Sequence, residues 1–437
     1  DGPVLLREGT VRTYINRYNR RNTFRTSDVT ARYEWNVSKL NASALVGISQ
    51  EYNKREDERF RKYDLADDAL TSINGGSTNG EIEGNYTEWA MRSYFGRINL
   101  SWDDKYLLEV NLRADGSSRF APDKRWGWFP SVSAGWSISE EPFLKKAAGW
   151  LDMLKLRASV GNPGNQNFDA YIAMKIYTYN NHHTNPWGVS AIINNFGNPD
   201  LEWQKTLDRN IGLDLVVFNN RLRVNFDYFS KKTDPLLVYT GVPSSTGGTS
   251  VPANVGGQVT KGYTVVLNYA LLKKEHLLWQ VNATLRHLTS EYRNVSAYLS
   301  RFNDENKTKN MLRYYDGGSP SDLWAVRSAG IDAATGREIF LHKDGTQSFA
   351  YNVEDEVVVG NSDPKLEGVV GMSFYYKGFS ASANFRYRLG GQIFMETLYN
   401  KVENISFSDV HYNQDKRALY DRWKEPGDNA KFRAIST

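Results

Sequence analysis

Between Phe218 and Lys232 the chain reads FNNRLRVNFDYFSKK, and its apolar residues fall on every second position. Leu222, Val224, Phe226 and Tyr228 alternate with Arg221, Arg223, Asn225 and Asp227. A period of two is the signature of a strand with one apolar and one polar face. The same period runs through Val29–Val37, Leu40–Tyr52, Tyr94–Trp102, Tyr106–Asp115 and Ile211–Val217. It returns in GWFPSVSAGWSIS, LDMLKLRASVG, GYTVVLNYALL, LLWQVNATLRHL, GVVGMSFYY and FSASANFRYRLG. The pattern predicts about a dozen strands in six hairpins, with an earlier strand near Thr10–Asn19.

The connections alternate in length. DDK at 103–105, Asn219-Asn220, KKEH and Lys377-Gly378 are short, and EEPFLKKAAGW adds one helical turn. Between them lie DGSSRFAPDKR and long polar stretches at Asn53–Glu88, 161–202, 233–261 and 291–366. Long loops kept at one end and tight turns at the other predict an all-β, antiparallel transmembrane β-barrel of the outer-membrane type. About 9–11 tilted residues cross the bilayer, and closing the sheet satisfies the backbone groups that lipid cannot. In this reading Leu222, Val224, Phe226 and Tyr228 face lipid, and Arg221, Arg223, Asn225 and Asp227 face the lumen. The same parity places Asn384, Arg386 and Arg388 inside, opposite Ala383, Phe385 and Tyr387. Trp102, Tyr106, Tyr376 and Phe379 stand at strand ends, where interfacial girdles belong. The alternative is a soluble all-β protein whose amphipathic strands cover a core.

Composition narrows the choice. The 437 residues are 40% hydrophobic, and no run of about 18 apolar residues offers a membrane helix. A barrel escapes that test, because half of each strand faces a polar lumen. Aromatics reach 13%, led by 26 Tyr, with 12 Trp, which suits girdles and equally suits a carbohydrate-binding β protein. The net charge of +4 comes from basic residues scattered among acidic ones, with no nucleic-acid footprint. With no cysteine, disulfide scaffolds and Cys-based zinc sites are excluded. The chain starts DGPVLLREGT, so no signal peptide is visible; it was removed, or the chain is part of a longer polypeptide.

Several stretches carry a resemblance. SYFGRINLSWDDKYLLEVNLRADGSSRFAPDKRWGWFPSVSAGWSISEEPFL (Ser93–Leu144) resembles the barrel of the SusC/RagA family of TonB-dependent outer-membrane transporters of Bacteroidetes. So do LKLRASVGNPGNQ (Leu154–Gln166), NPDLEWQKTLDRNIGLDLVVFNNRLRVNFDYFSKKTDPLL (Asn198–Leu237), AGIDAATGREIF, VVGNSDPKLEGVVG and DRWKEPGDNAKF, in that order. The resemblance implies a signal peptide, a TonB-contacting motif, a plug and a barrel of about 22 strands. The chain, residues 1–437, is then expected to be one portion of that barrel, without plug, signal peptide, early strands or final strands. It also implies active import of bulky nutrients, oligosaccharides or peptides, driven through TonB. The implied partners are a SusD-like surface lipoprotein acting as a lid, TonB itself, the glycan or peptide substrate, the lipid bilayer and lipopolysaccharide. Passive porin-like or surface-binding barrels, and a soluble carbohydrate-binding protein, are the competing readings.

Candidate chemistry is sparse. His182-His183 lack further ligands at a recognisable spacing, so neither a metal nor a cofactor is expected. Glu140-Glu141 and Asp67-Asp68 do not make a glycosidase pair by sequence alone, and Glu140-Glu141 falls in a short turn, on the side away from the long loops. No GxSxG, HExxH or phosphate loop is present, and no enzyme is expected. DAATG and HKDGTQSFAYNVED lack the calcium-loop spacing and predict a hairpin within a loop. Trp187, Tyr314, Tyr315 and Trp324, with Asn185, Asp316 and Asp322 as hydrogen-bonding groups, are the candidate substrate-binding residues of the long loops. Their alternative role is to pack the loops together or to meet the lid.

Overall fold

The computed structural model describes residues 13–67, 69–145, 149–165, 168–242, 245, 250–307, 313–405 and 413–434, with the side chains of 145, 180–185 and 298 outside that description. His182, His183 and Asn185 therefore have a described backbone and no described side chain, and Asp68 lies outside the described residues.

Twelve antiparallel strands follow one another in a single sheet in chain order. They are β1 (Tyr14–Val37), β2 (Leu40–Leu65), β3 (Gly76–Trp102), β4 (Tyr106–Ser117), β5 (Trp126–Ser137) and β6 (Leu151–Gly161). The second half comprises β7 (Gln204–Val217), β8 (Leu222–Thr233), β9 (Gly257–Lys274), β10 (Leu277–Arg293), β11 (Leu366–Tyr376) and β12 (Phe379–Leu389). A short strand, Gly164–Asn165, pairs with the start of β7. β1 and β12 form the two edges of the sheet.

The register turns the sequence alternation into two chemical faces. One cross-strand row passes from Val37 through Leu40, Trp102, Tyr106, Trp136, Leu156, Leu213, Phe226 and Val265 to Leu285. The adjoining row runs through Asn36, Asn41, Ser101, Leu107, Gly135, Arg157, Gly212, Asp227, Thr264, Arg286, Glu367 and Arg388. Among the described residues the apolar face has no protein core over it: Val29 is 73% exposed and Phe385 69%. A continuous open apolar face of this extent is a lipid-facing wall and removes the soluble alternative. No described helix is long and apolar enough to cross a membrane, which says nothing about crossing by strands.

The short turns form as their residues require. Asp103 and Asp104 at φ 54°, Asn219 and Asn220 at 57° and 60°, and Lys377-Gly378 at 43° and 93° take the left-handed conformation of tight hairpins. The turn between β5 and β6 contains the expected helical turn, Pro142–Lys145.

Two expectations change. The strand expected near Thr10–Asn19 is not separate: from Tyr14 it is the outer part of β1, and residues 10–12 lie outside the described residues. The polar stretch Asn53–Glu88 is mostly strand: β2 runs 26 residues to Leu65 and β3 starts at Gly76. Since about 9–11 residues cross a bilayer, more than half of β1, β2 and β3 extends beyond it. The alternation fails there because both faces are solvated. The backbone ladder and cross-strand charges hold the extension instead, among them Arg61–Glu81 at 3.0 Å and Arg59–Glu83 at 3.4 Å.

Candidate functional site: the charged inner wall and its loop cap

The polar face is an organised charge network. Arg157 on β6 donates to both carboxylate oxygens of Asp214 on β7 (2.8 and 2.9 Å) and lies 3.1 Å from Asp227 on β8. Asn225 on β8 also donates to Asp214, at 2.8 Å. Gly212 makes room for this network: a Cβ there would sit 2.7 Å from both the Arg157 guanidinium and an Asp227 oxygen. Farther along, Glu367 gathers Arg388 at 3.1 Å, Arg386 at 3.9 Å and Arg286 at 4.0 Å. A groove of about 620 Å³ on the wall is lined by Glu34, Asn41, Glu109, Lys155, Arg157 and Asn210 among others. A second, of about 720 Å³, is lined by Phe95, Arg97, Asn111, Arg113 and Trp203. Such a surface suits water, polar solutes or another charged protein layer, not lipid.

The long loops are fastened to this wall by a compact hydrophobic cluster. Phe120, Ile172, Leu201 and Trp203 are buried with Phe129 of β5, and Phe168 and Leu237 pack against them. Phe120 stacks on Trp203 with ring centres 5.0 Å apart, and the Trp203 indole donates to the Arg125 carbonyl at 2.9 Å. Asn198 donates to the Pro252 carbonyl at 2.9 Å, tying two long loops together. Sequence reasoning missed this cluster, because its members are single apolar residues scattered through Pro-, Asp- and Gly-containing segments.

The sequence-selected residues fall into three groups. Trp187 lies between the hairpin strands Ile176–Asn185 and Gly188–Asn195 and is 92% exposed; Asn185 ends the first of these strands. Tyr314 is packed between Tyr292 and Phe302, at 5.0 and 5.5 Å, and exchanges hydrogen bonds with Asn303 on the helix Ala297–Glu305. Burial pushes its phenol pKa up. Asp316 accepts from the Val295 backbone N–H at 3.0 Å, and Asp322 accepts from the Ser319 N–H and the Asn361 amide, each at 2.8 Å. Tyr315 and Trp324, by contrast, form an aromatic pair with centroids 5.0 Å apart and planes at 31°, and Tyr315 is 45% exposed. The structure thus joins Tyr315 to Trp324 and seats Tyr314, Asp316 and Asp322 in the scaffold beneath.

The DAATG region contains the expected hairpin, extended to three strands: Arg327–Ile331, Glu338–Leu341 and Gln347–Ser348. His342 bonds to Asp355 at 2.6 Å and, with the Lys343 N–H, holds that carboxyl below its ordinary range. Trp423 lies against Gly336, whose φ of +68° requires glycine, and donates to the Ala333 carbonyl at 2.9 Å. This contact joins AGIDAATGREIF to DRWKEPGDNAKF, two motifs far apart in sequence. Among the described residues no group of three or more His, Cys, Asp or Glu converges on a metal-sized point.

At the opposite end Glu141 is a girdle anchor. It accepts from the Tyr106 hydroxyl at 2.7 Å and the Trp136 indole at 3.1 Å, and these bonds hold its carboxyl below the usual range.

An antiparallel wall with lipid-compatible residues on one face, charge on the other and loops gathered at one end is the wall of an outer-membrane β-barrel. The chain belongs to the family described as TonB dependent receptor-like, beta-barrel, whose model matches residues 4–394. Over 362 residues it is 29% identical to the TonB-dependent receptor SusC of Bacteroides thetaiotaomicron, covering 75% of this chain and 34% of that protein. Over 396 residues it is 26% identical to TonB-dependent receptor P39 of Formosa agariphila, covering 80% of this chain and 37% of that one. Its fold is similar to that of a chain in the structure of the RagAB peptide transporter, with a TM-score of 0.82 and 23% identity over 97% of this chain and 47% of that chain. The chain therefore spans between a third and a half of the length of these relatives.

Proposed function

We propose that this chain is barrel wall and loop cap of an active outer-membrane importer for bulky nutrients, oligosaccharides or peptides. In this reading the complete polypeptide also carries a plug and a TonB-contacting segment, and a SusD-like surface lipoprotein closes over the loops. The observation that carries it is the joint presence of a densely charged inner wall and a hydrophobically fastened loop cap, in a chain whose relatives include SusC and the RagAB peptide transporter. A charged wall suits a polar plug; a fastened cap suits a fixed substrate cavity.

Within that cavity we assign the first substrate contacts to the Tyr315–Trp324 pair and to Trp187, with Asn185 alongside. Aromatic faces stack on sugar rings or pack on peptide side chains, and exposed ring surface is available at Tyr315 and Trp187. Tyr314, Asp316 and Asp322 then act by holding the pair in place. The family is one of receptors and transporters, and the reading involves no catalytic step. The test is uptake by cells carrying the full-length gene, with and without TonB. The proposal expects uptake to vanish without TonB and to fall at least tenfold in a Tyr315→Ala, Trp324→Ala double variant that still reaches the membrane. Undiminished uptake without TonB would assign a passive pore instead.

A further inference from the structure

We propose that the outward face of β10–β12, beside the short turns, is a binding site for an anionic phospholipid. The acyl chain occupies an apolar groove, and the phosphate rests on Lys274 and Lys377.

The groove measures about 390 Å³ and is lined by Trp279, Met372, Phe374, Ala381, Ser382 and Ala383. The register explains its shape. Trp279 stands opposite Phe374, which stands opposite Ala381; Val281, Met372 and Ala383 form the next row. Large side chains on β10 and β11 meet only methyl groups on β12, leaving a channel on the lipid side. Toward the turns the following row is Leu277, Tyr376 and Phe379, and Lys274 pairs with Leu277 on the same face. The Lys377 ammonium lies 5.5 Å from the centre of the Tyr376 ring.

Charge distinguishes this rim from the turns toward the opposite edge of the sheet. In the β1–β2 and β3–β4 turns Lys39 and Lys105 are neutralised by Asp103, at 3.2 and 2.9 Å. Lys274 and Lys377 have no carboxylate partner among the described residues; the nearby Glu275 is 89% exposed and 4.0 Å from His276. Long lysine stems lie along apolar surface and present their ammonium at the headgroup level, where tyrosine rings also settle. Two unneutralised ammoniums below an apolar channel fit a phosphate whose headgroup adds no positive charge. A zwitterionic headgroup brings its own ammonium against them. The inference rests on the membrane placement of the barrel, not on TonB-driven import.

The experiment is native mass spectrometry of the full-length protein in mild detergent, with phosphatidylglycerol and phosphatidylethanolamine of identical chains supplied equally. The wild type is expected to retain phosphatidylglycerol at least fivefold more. Lys274→Glu with Lys377→Glu brings the two lipids near parity. Ala381→Phe, which fills the groove, lowers retention of both, and millimolar inorganic phosphate displaces neither. Equal retention by the wild type overturns the site, as does a preference untouched by the lysine substitutions. Displacement by phosphate would assign a free-anion site, and a dimer lost on Ala381→Phe would assign the groove to a second copy. Uptake that persists without TonB would leave these lipid-retention outcomes unchanged.

Discussion

Phe226→Arg tests the two faces of the wall at one position. Phe226 lies on β8 between Leu213 and Val265 and is 38% exposed on the apolar face. It stands four residues beyond Leu222, where β8 leaves its short turn. At about 3.3 Å per residue and a tilt of about 40°, that is roughly 10 Å above the turn, close to the middle of an apolar band about 25 Å tall. An arginine facing lipid at that depth costs about 2–4 kcal/mol. Asn225, one residue away, points to the other side and donates to Asp214 at 2.8 Å. An arginine there enters a polar cavity beside Asp214 and Asp227, at a cost within about 1 kcal/mol. The assay is urea unfolding of the full-length protein in phospholipid vesicles, read by tryptophan fluorescence and heat-modifiable mobility, with the difference taken at the midpoint. Equal costs at the two positions, or a larger cost for Asn225→Arg, would refute the assignment of faces.

Other expected outcomes come from the same contacts. Gly212→Val should disrupt the Arg157–Asp214–Asp227 network as fully as Arg157→Met, each costing about 1–3 kcal/mol in the same unfolding assay. Trp203→Ala should cost the loop cap about 3–5 kcal/mol, seen as protease cleavage within 162–203 while the strands stay inserted. Asp57, on the extension of β2, is held down to about pKa 2 by the Tyr18 hydroxyl first and Arg20 next. Its contribution is therefore complete above pH about 4 and is lost as pH falls through about 2. Pepsin should cleave near Tyr52–Tyr63 at pH 2 but not at pH 4, and Asp57→Asn should be cleaved at both. Glu141→Gln should weaken the Tyr106 and Trp136 anchors by about 1–2 kcal/mol and leave substrate uptake unchanged.

What the sequence made legible was set by how locally each feature is determined. Leu222–Tyr228 shows its faces because burial in lipid demands strict alternation, and Asn219-Asn220 shows its turn because few residues tolerate left-handed backbone. The extension of β1–β3 was hidden, since Arg59, Arg61, Glu81 and Glu83 pair across strands with no apolar period to betray them. The loop cap was hidden for a different reason. Phe120, Ile172 and Trp203 are brought together by tertiary packing across three connections, and no spacing encodes that. Aromatic type alone selected Tyr314, Tyr315 and Trp324. Only the structure separates the Tyr314 ring, wedged between Tyr292 and Phe302, from the Tyr315–Trp324 pair.

None of these 437 residues is cysteine, so introduced thiols meet no native one here, and any cysteine elsewhere in the full-length protein is first replaced by serine. Single cysteines placed one at a time from Leu222 to Phe229 in the full-length protein, reconstituted in vesicles, are reacted with a charged, membrane-impermeant maleimide. The account predicts labelling that alternates by residue: fast at Arg223, Asn225 and Asp227, and at least tenfold slower at Val224, Phe226 and Tyr228. Uniform labelling along the strand, or the opposite parity, would contradict a membrane-spanning wall with its charged face turned inward.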